Sequence, residues 1–250
     1  MSVNDKLEKI KNIILKDGFC TVNELIKQVE YSPSSIRRYL SILKKKGVIE
    51  RWHGGAASPE YSRLSYVSRM NINKEKKEEI GKKAASLVKD GDVVILDAGS
   101  TASMVLNNII DKKGLTVITT AVNIAKKLST MSNFEVILIG GVFNLETNSM
   151  LGHLAKLALE YINANIAFVA CDSISSELDI MLANFELAEL KKAIIKSATV
   201  KVLIADSNKF GKISIASIGK IDIFDKVVID CGLSQEYREK IKKYGIELII

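Results

Sequence analysis

Apolar positions in the first part of the chain recur at helical spacing. Leu7, Ile10 and Ile14 follow at steps of three and four from Asp5 and stop at Gly18, which predicts a first helix of about three turns. The next run, TVNELIKQVE, opens with Thr21 and carries Glu24 three residues on. This is a capping box, in which each residue satisfies an orphan amide of the other, and it predicts a second helix. After Tyr31, Ser32 is placed to cap a third helix. Pro33 takes that helix's first position, where a missing amide donor costs nothing and the fixed φ is already helical. Along it Ile36, Leu40 and Leu43 fall on one stripe, with Tyr39 at its border. Ser34, Arg38, Ser41 and Lys45 fall on the opposite side, with Arg37 and Lys44 on a flank. GVIERWHGGAA then breaks the helix at Gly47, alternates briefly through Val48 to Trp52 and turns at Gly54 and Gly55, the pattern of a β-wing.

The pattern changes further on. ASPEYSRLSYVSRM has no period and holds Pro59, so a boundary is placed near residues 57 to 70, giving a first domain at 1–57, a linker at 58–72 and a second domain at 73–250. From Asn73, NKEKKEEIGKKAASLVKDGD predicts a helix with Ile80, Ala84, Leu87 and Val88 inward and its lysines on a solvated face. Beyond residue 90 short aliphatic runs (DVVILDAGS, LTVITT, FEVILIGG, IAFVAC, KVLIAD, KVVID) alternate with helical stretches at 121–129, 152–162 and 185–197. Strands this apolar are buried on both faces, so the reading is an α/β fold with a mainly parallel sheet, its ligands beyond the carboxyl ends of the strands.

Charge sharpens the division. The chain of 250 residues carries 36 Lys+Arg against 29 Asp+Glu, a net +7. Residues 1–57 hold 11 basic and 6 acidic residues and the remainder 25 and 23, so most of the excess sits in the first domain. A polyanion-binding module and a merely solvated basic surface both account for that balance. No apolar run is long enough for a membrane span, and MSVNDKLEKI lacks the apolar core of a signal peptide, so a cytoplasmic location without membrane contact is expected. Cys20, Cys171 and Cys231 are far apart and lack a CxxC pairing, which predicts buried reduced thiols; neither a metal site nor a cofactor is expected.

Two short helices with serine and arginine on the exposed side of the second fit a helix-turn-helix arrangement, in which that second helix enters the major groove, and an amphipathic surface helix with solvated charges fits the same stripe. Arginine forks onto guanine or phosphate, and serine hydrogen-bonds either. In the second domain LDAGST places Asp97, Gly99, Ser100 and Thr101 where a strand turns into a helix, a setting in which free amides and hydroxyls favour an anion. LIGG gives a close-approach turn at Gly140 and Gly141, and IADSNKFG offers Lys209 as a compact charge. An enzymatic alternative drafts Asp97, Glu186 and Lys209 as acid, base and clamp of a sugar-phosphate isomerase-like enzyme with an accessory nucleic-acid-binding domain. His53 and His153 are the chain's two imidazoles, and no nucleophile elbow is present.

SPSSIRRYL and LKKKGVIERWHGGA, followed in order by LDAGST, LIGG, FELAELKKAII and ADSNKFG, resemble the DeoR-type family of bacterial sugar-metabolism repressors over nearly the whole chain. The resemblance implies a winged helix-turn-helix domain and an effector domain similar in fold to pentose-phosphate isomerases and CoA transferases, which senses phosphorylated sugars. It implies a homo-oligomer, dimer or tetramer, on a double-stranded DNA operator. Ser34, Ser35, Arg37, Arg38 and Lys45 would contact DNA, with Arg51 and His53 supporting from the wing. Asp97, Gly99, Ser100, Thr101, Thr120, Gly140, Gly141 and Lys209 would form the effector site; Arg69, Asn73 and Lys76 also match the family's pattern and are given a structural role. The sequence departs from that pattern at Tyr39, where the family has aspartate, and at Thr120, where it has asparagine. It also departs in CDSISSELDIMLANFE, read as the loop at 171–184 where the family carries glycine, in which Asp179 adds negative charge to a site expected to take an anion.

Overall fold

A computed structural model of the chain describes residues 3–17, 19–29, 31–52, 55–58, 69–131 and 133–250. The chain divides into two units, Met1–Asn71 and Ile72–Ile250. His53 and most of the expected linker lie outside the described residues.

In the first unit the helical spacings become α1 (Val3–Asp17), α2 (Val22–Val29) and α3 (Pro33–Lys45). The capping box forms: Thr21 N–H donates to Glu24 Oε2 at 2.7 Å and Glu24 N–H to Thr21 Oγ1 at 3.1 Å. Ser32 Oγ accepts from Ser35 N–H at 3.2 Å, and Pro33 stands in the first turn of α3. Each such cap contributes about 1 kcal/mol. The stripes close on one another, burying Leu7, Ile10, Ile14, Leu25, Ile36, Leu40 and Leu43 in a single small core. Three short strands, β1 (Phe19–Thr21), β2 (Glu50–Trp52) and β3 (Gly55–Ala57), pair antiparallel in the order β1-β3-β2. The hairpin of β2 and β3 is the expected wing; β1 is an addition that no pattern announces.

The second unit opens with α4 (Lys74–Ala85) and then alternates strand and helix through β4 (Val93–Leu96), α5 (Ser100–Asn107), β5 (Leu115–Thr119), α6 (Val122–Leu128) and β6 (Phe134–Leu138). After a hairpin of β7 (Val142–Asn144) and β8 (Ser149–Leu151) come α7 (His153–Glu160) and β9 (Ala164–Ala170). The chain continues through β10 (Ser173–Ile174), β11 (Asp179–Leu182), α8 (Phe185–Lys196), β12 (Ala198–Ile204), β13 (Ala216–Lys220), β14 (Lys226–Val228), α9 (Gln235–Lys242) and β15 (Glu247–Ile249). Seven strands form one sheet in the order β15-β14-β12-β9-β4-β5-β6, every neighbouring pair parallel. Alternation along the strands feeds two cores: Val94, Leu96 and Phe168 pack under α4, α5 and α6, while Ile95, Ile118, Val169 and Leu203 pack under α7, α8 and α9. The chain runs outward one way from β4 and the other way from β9, so the topological switch point lies between these adjacent central strands. Ligands of such sheets bind in that crevice.

Four expectations are corrected. Tyr39 does not border the packed stripe but lies inside it, 3% exposed. CDSISSELDIMLANFE is not a loop: β10 and β11 join β13 in a small antiparallel sheet. The lysines of α4 are not all solvated, because Lys77 is buried with its ammonium on the Ile72 carbonyl at 2.6 Å. Cys20 and Cys171 are buried as expected, whereas Cys231 is exposed.

Candidate DNA-reading face and ligand site

On α3 the buried set is Ile36, Tyr39, Leu40 and Leu43, and the opposite side is open: Ser34, Arg37, Arg38, Ser41, Lys44 and Lys45 are exposed and Ser35 is half-buried. Tyr39 links the two sides. Its ring meets Tyr31 edge-on at 6.2 Å, and the Arg38 guanidinium sits 5.2 Å from its centroid with Nη2 donating to the phenol oxygen at 3.4 Å. A buried aromatic thus orients the arginine beside it. Arg51, on β2, donates to the Arg37 carbonyl at 3.4 Å, which ties the wing to the middle of α3.

At the carboxyl ends of the strands in the second unit, α5 begins directly beyond β4. Its first-turn amides have no intrahelical acceptor and carry the positive end of the helix dipole. Ser100 and Thr101 are nearly buried there, 7% and 3% exposed. Asp97 is 1% exposed and fully engaged: Oδ1 accepts from Ala98 N–H at 2.7 Å, and Oδ2 from Ala170 N–H at 3.0 Å and from the Lys191 ammonium. Its carboxylate spans the switch point and holds Lys191 of α8, which the sequence reading did not single out. The available signal was position: Leu187, Lys191 and Ile194 share the apolar stripe of α8, and a lysine on such a stripe is buried and paired.

Other expected residues fall around this point with different roles. Gly99 precedes α5, and a Cβ there would meet Ala170 Cβ at an ordinary 3.5 Å. Gly140 stands in open space, whereas a Cβ on Gly141 would lie 2.4 Å from the Leu151 carbonyl oxygen, so that glycine serves the β7–β8 hairpin. Lys209, beyond β12, donates to the Cys171 carbonyl beyond β9. Burial pushes the Lys212 ammonium pKa down, opposed by Asp206 and reinforced by Lys209. The Cys171 thiol is pushed up to about 12, first by burial. Asp179 does not present a bare charge: Ser175 Oγ donates to it at 2.8 Å and Lys220 lies 3.5 Å away. The trio drafted for catalysis is dispersed among different partners, with Asp97 on Lys191, Lys209 on a carbonyl and Glu186 exposed.

A second polar cluster joins the start of the unit to its later strands. Asn73, in the left-handed region at φ 53°, donates to Asp206 Oδ1 at 3.0 Å. Lys76 donates to Ser207 Oγ at 2.7 Å and lies 3.5 Å from Asp230. This is the structural role given to Asn73 and Lys76. Among the described residues no group of His, Cys, Asp and Glu is arranged to hold a metal, and no helix is long and apolar enough to cross a membrane.

A winged helix-turn-helix in one unit and an open parallel α/β sheet with a polar strand-end site in the other define a DNA-binding regulator with a sensor domain. The DeoR-like helix-turn-helix domain matches residues 6–62 and the DeoR C-terminal sensor domain residues 72–231. The chain belongs to the DeoR family. It is 32% identical over 98% of both chains to the HTH-type transcriptional regulator GolR of Listeria innocua. It is 27% identical to the glycerol-3-phosphate regulon repressor of Escherichia coli, over 96% of this chain and 95% of the relative. Among solved structures, ribose 5-phosphate isomerase A from Methanocaldococcus jannaschii aligns over 56% of each chain at 22% identity, with a TM-score of 0.41.

Proposed function

We propose that this DNA-binding regulator is a repressor of a carbohydrate-utilisation operon, released from its operator when a phosphorylated sugar or related metabolite occupies the strand-end site. The observation that carries the DNA half is α3, whose exposed Ser34, Arg37, Arg38 and Lys45 lie opposite a buried Ile36, Tyr39, Leu40 and Leu43. Ser35 and Arg51 flank that face; His53, outside the described residues, is assigned a supporting DNA contact. The effector half rests on Gly99, Ser100, Thr101 and the free amides of α5, with Thr120, Gly140 and Gly141 on neighbouring strand ends and Lys209 supplying charge. Asp97 contributes by holding Lys191. Relatives named as repressors of metabolite regulons support the same direction of control.

Two winged domains related by a two-fold axis would read paired half-sites, so the working form is a homo-oligomer. For release, the effector has to bind the non-DNA conformation better, by as much as operator affinity falls. The test is operator binding by fluorescence anisotropy. Arg38→Ala is expected to weaken it by about 1–3 kcal/mol if Arg38 reads a base, and equally on all sequences if it holds phosphate. Unchanged affinity removes Arg38 from the interface.

A further inference from the structure

The strand-end site holds more hydrogen-bonding capacity than the protein uses. Thr120 is 2% exposed and its Oγ1 is buried without a partner among the described residues. An ammonium has three N–H donors. Lys191, equally buried, spends one on Asp97 and finds no other acceptor among the described residues.

The register brings these groups to one region. Lys191 is held by Asp97, and Asp97 and Thr120 each follow Leu96 and Thr119, the last paired residues of β4 and β5. Ile95 and Ile118 belong to the core beneath α7 and α8, and the same alternation carried one residue past the strands puts Asp97 and Thr120 on that face. Buried polar atoms are ordinarily satisfied, and an unpaired hydroxyl costs about 1–3 kcal/mol. A hydroxyl and an ammonium left short of partners at one switch point indicate a group that arrives from outside.

The charge balance says what kind of group. Asp97 already neutralises Lys191, so the pair repays a dipolar oxygen and not a second anion. Positive field without a carboxylate partner lies at the amino end of α5, beside Ser100 and Thr101, and at Lys209, whose ammonium sits on the Cys171 carbonyl. We propose that Lys191 and the Thr120 hydroxyl form an inner subsite for an uncharged carbonyl or hydroxyl oxygen of the effector, with its phosphate at the start of α5 and Asp97 acting as a positioning residue for Lys191. This rests on the sensor reading above, and it fixes the ligand's orientation: polyol end inward, anion outward.

The test uses the full chain with inorganic phosphate, glycerol 3-phosphate and sorbitol 6-phosphate as probes, and reads Kd by calorimetry. Wild type is expected to bind at least one polyol phosphate more tightly than inorganic phosphate. Thr120→Val is expected to lose that advantage by about tenfold or more, the scale of one hydrogen bond, while holding inorganic phosphate within about twofold. Thr120→Ser is expected to restore it. Ligand-free Thr120→Val should melt no lower than wild type, because it removes an unpaired hydroxyl. Lys191→Met strands a buried carboxylate, so Thr120→Val decides the matter should Lys191→Met fail to fold. The subsite is overturned if Thr120→Val keeps the wild-type advantage, or if wild type binds all three probes equally. If wild type binds none of the three, the sensor reading itself falls, and the subsite with it.

Discussion

Asp230 shows how a single buried acid holds the second unit together. Burial alone would raise its pKa, but N–H and O–H donation from Ser207, N–H donation from Gly232 and the Lys76 ammonium outweigh it and hold the carboxyl below its ordinary value. The ionised form therefore stabilises the fold. That contribution is complete above the unfolded carboxyl's pKa of about 3.9 and is lost as pH falls through the lower native value. Asp230→Asn is expected to cost about 2 kcal/mol in urea unfolding at pH 7, with the gap to wild type shrinking as pH falls below the unfolded carboxyl's value of about 3.9. A gap that stays constant down to full protonation of the native carboxyl would show that the charge is not what matters. The same scale explains which site residues were legible. Asp97, Ser100 and Thr101 announced themselves by following an aliphatic run, whereas Lys77 and Lys191 were hidden among lysines that do face solvent. Only their phase on the helix separates them from their neighbours.

Elements were legible in proportion to how strongly burial patterned them. Six of the seven parallel strands read as aliphatic runs, the central ones because they are covered on both faces, although β6 at the edge exposes Ile137 and Leu138 and β15 was not singled out; the caps of α2 and α3 read directly from Thr21, Glu24, Ser32 and Pro33. The β7–β8 hairpin and the β10-β11-β13 sheet did not. Their strands are two to five residues long and mix Ser, Asn and Asp with apolar residues, leaving no period to detect. LIGG marks the approach of that hairpin to the sheet, and its two glycines differ in kind. Gly141, at φ 155° and pressed on the Leu151 carbonyl, leaves no room for a Cβ, while Gly140 has nothing within 4 Å. Gly141→Ala is expected to lower stability by about 2 kcal/mol or more, and Gly140→Ala by about 0.5 kcal/mol or less. Equal thermal midpoints for the two variants would contradict the close approach.

For the whole molecule, the uneven charge seen in the sequence has a measurable counterpart. Exposed Arg37, Arg38, Lys44 and Lys45 give one domain four cations for phosphates, and each phosphate neutralised adds about 0.9 to the slope of log affinity against log salt. One domain on the duplex therefore gives a slope of about −3.6, and a pair of domains about twice that. Anisotropy titrations from 50 to 200 mM salt distinguish the two, and a slope near zero contradicts a phosphate-contacting role for this face.

The strand preceding α2 has one more implication. Phe19–Thr21 pairs residue for residue with Ala57–Gly55, so the wing's central strand leans on chain contributed more than thirty positions earlier. A trimmed fragment beginning at α2 would retain the reading helix and both strands of the hairpin, yet lay bare the edge of Gly55–Ala57 and lose the α1 side of the core. A portable version of this DNA reader therefore has to carry α1 and β1 along with the reading helix and the hairpin.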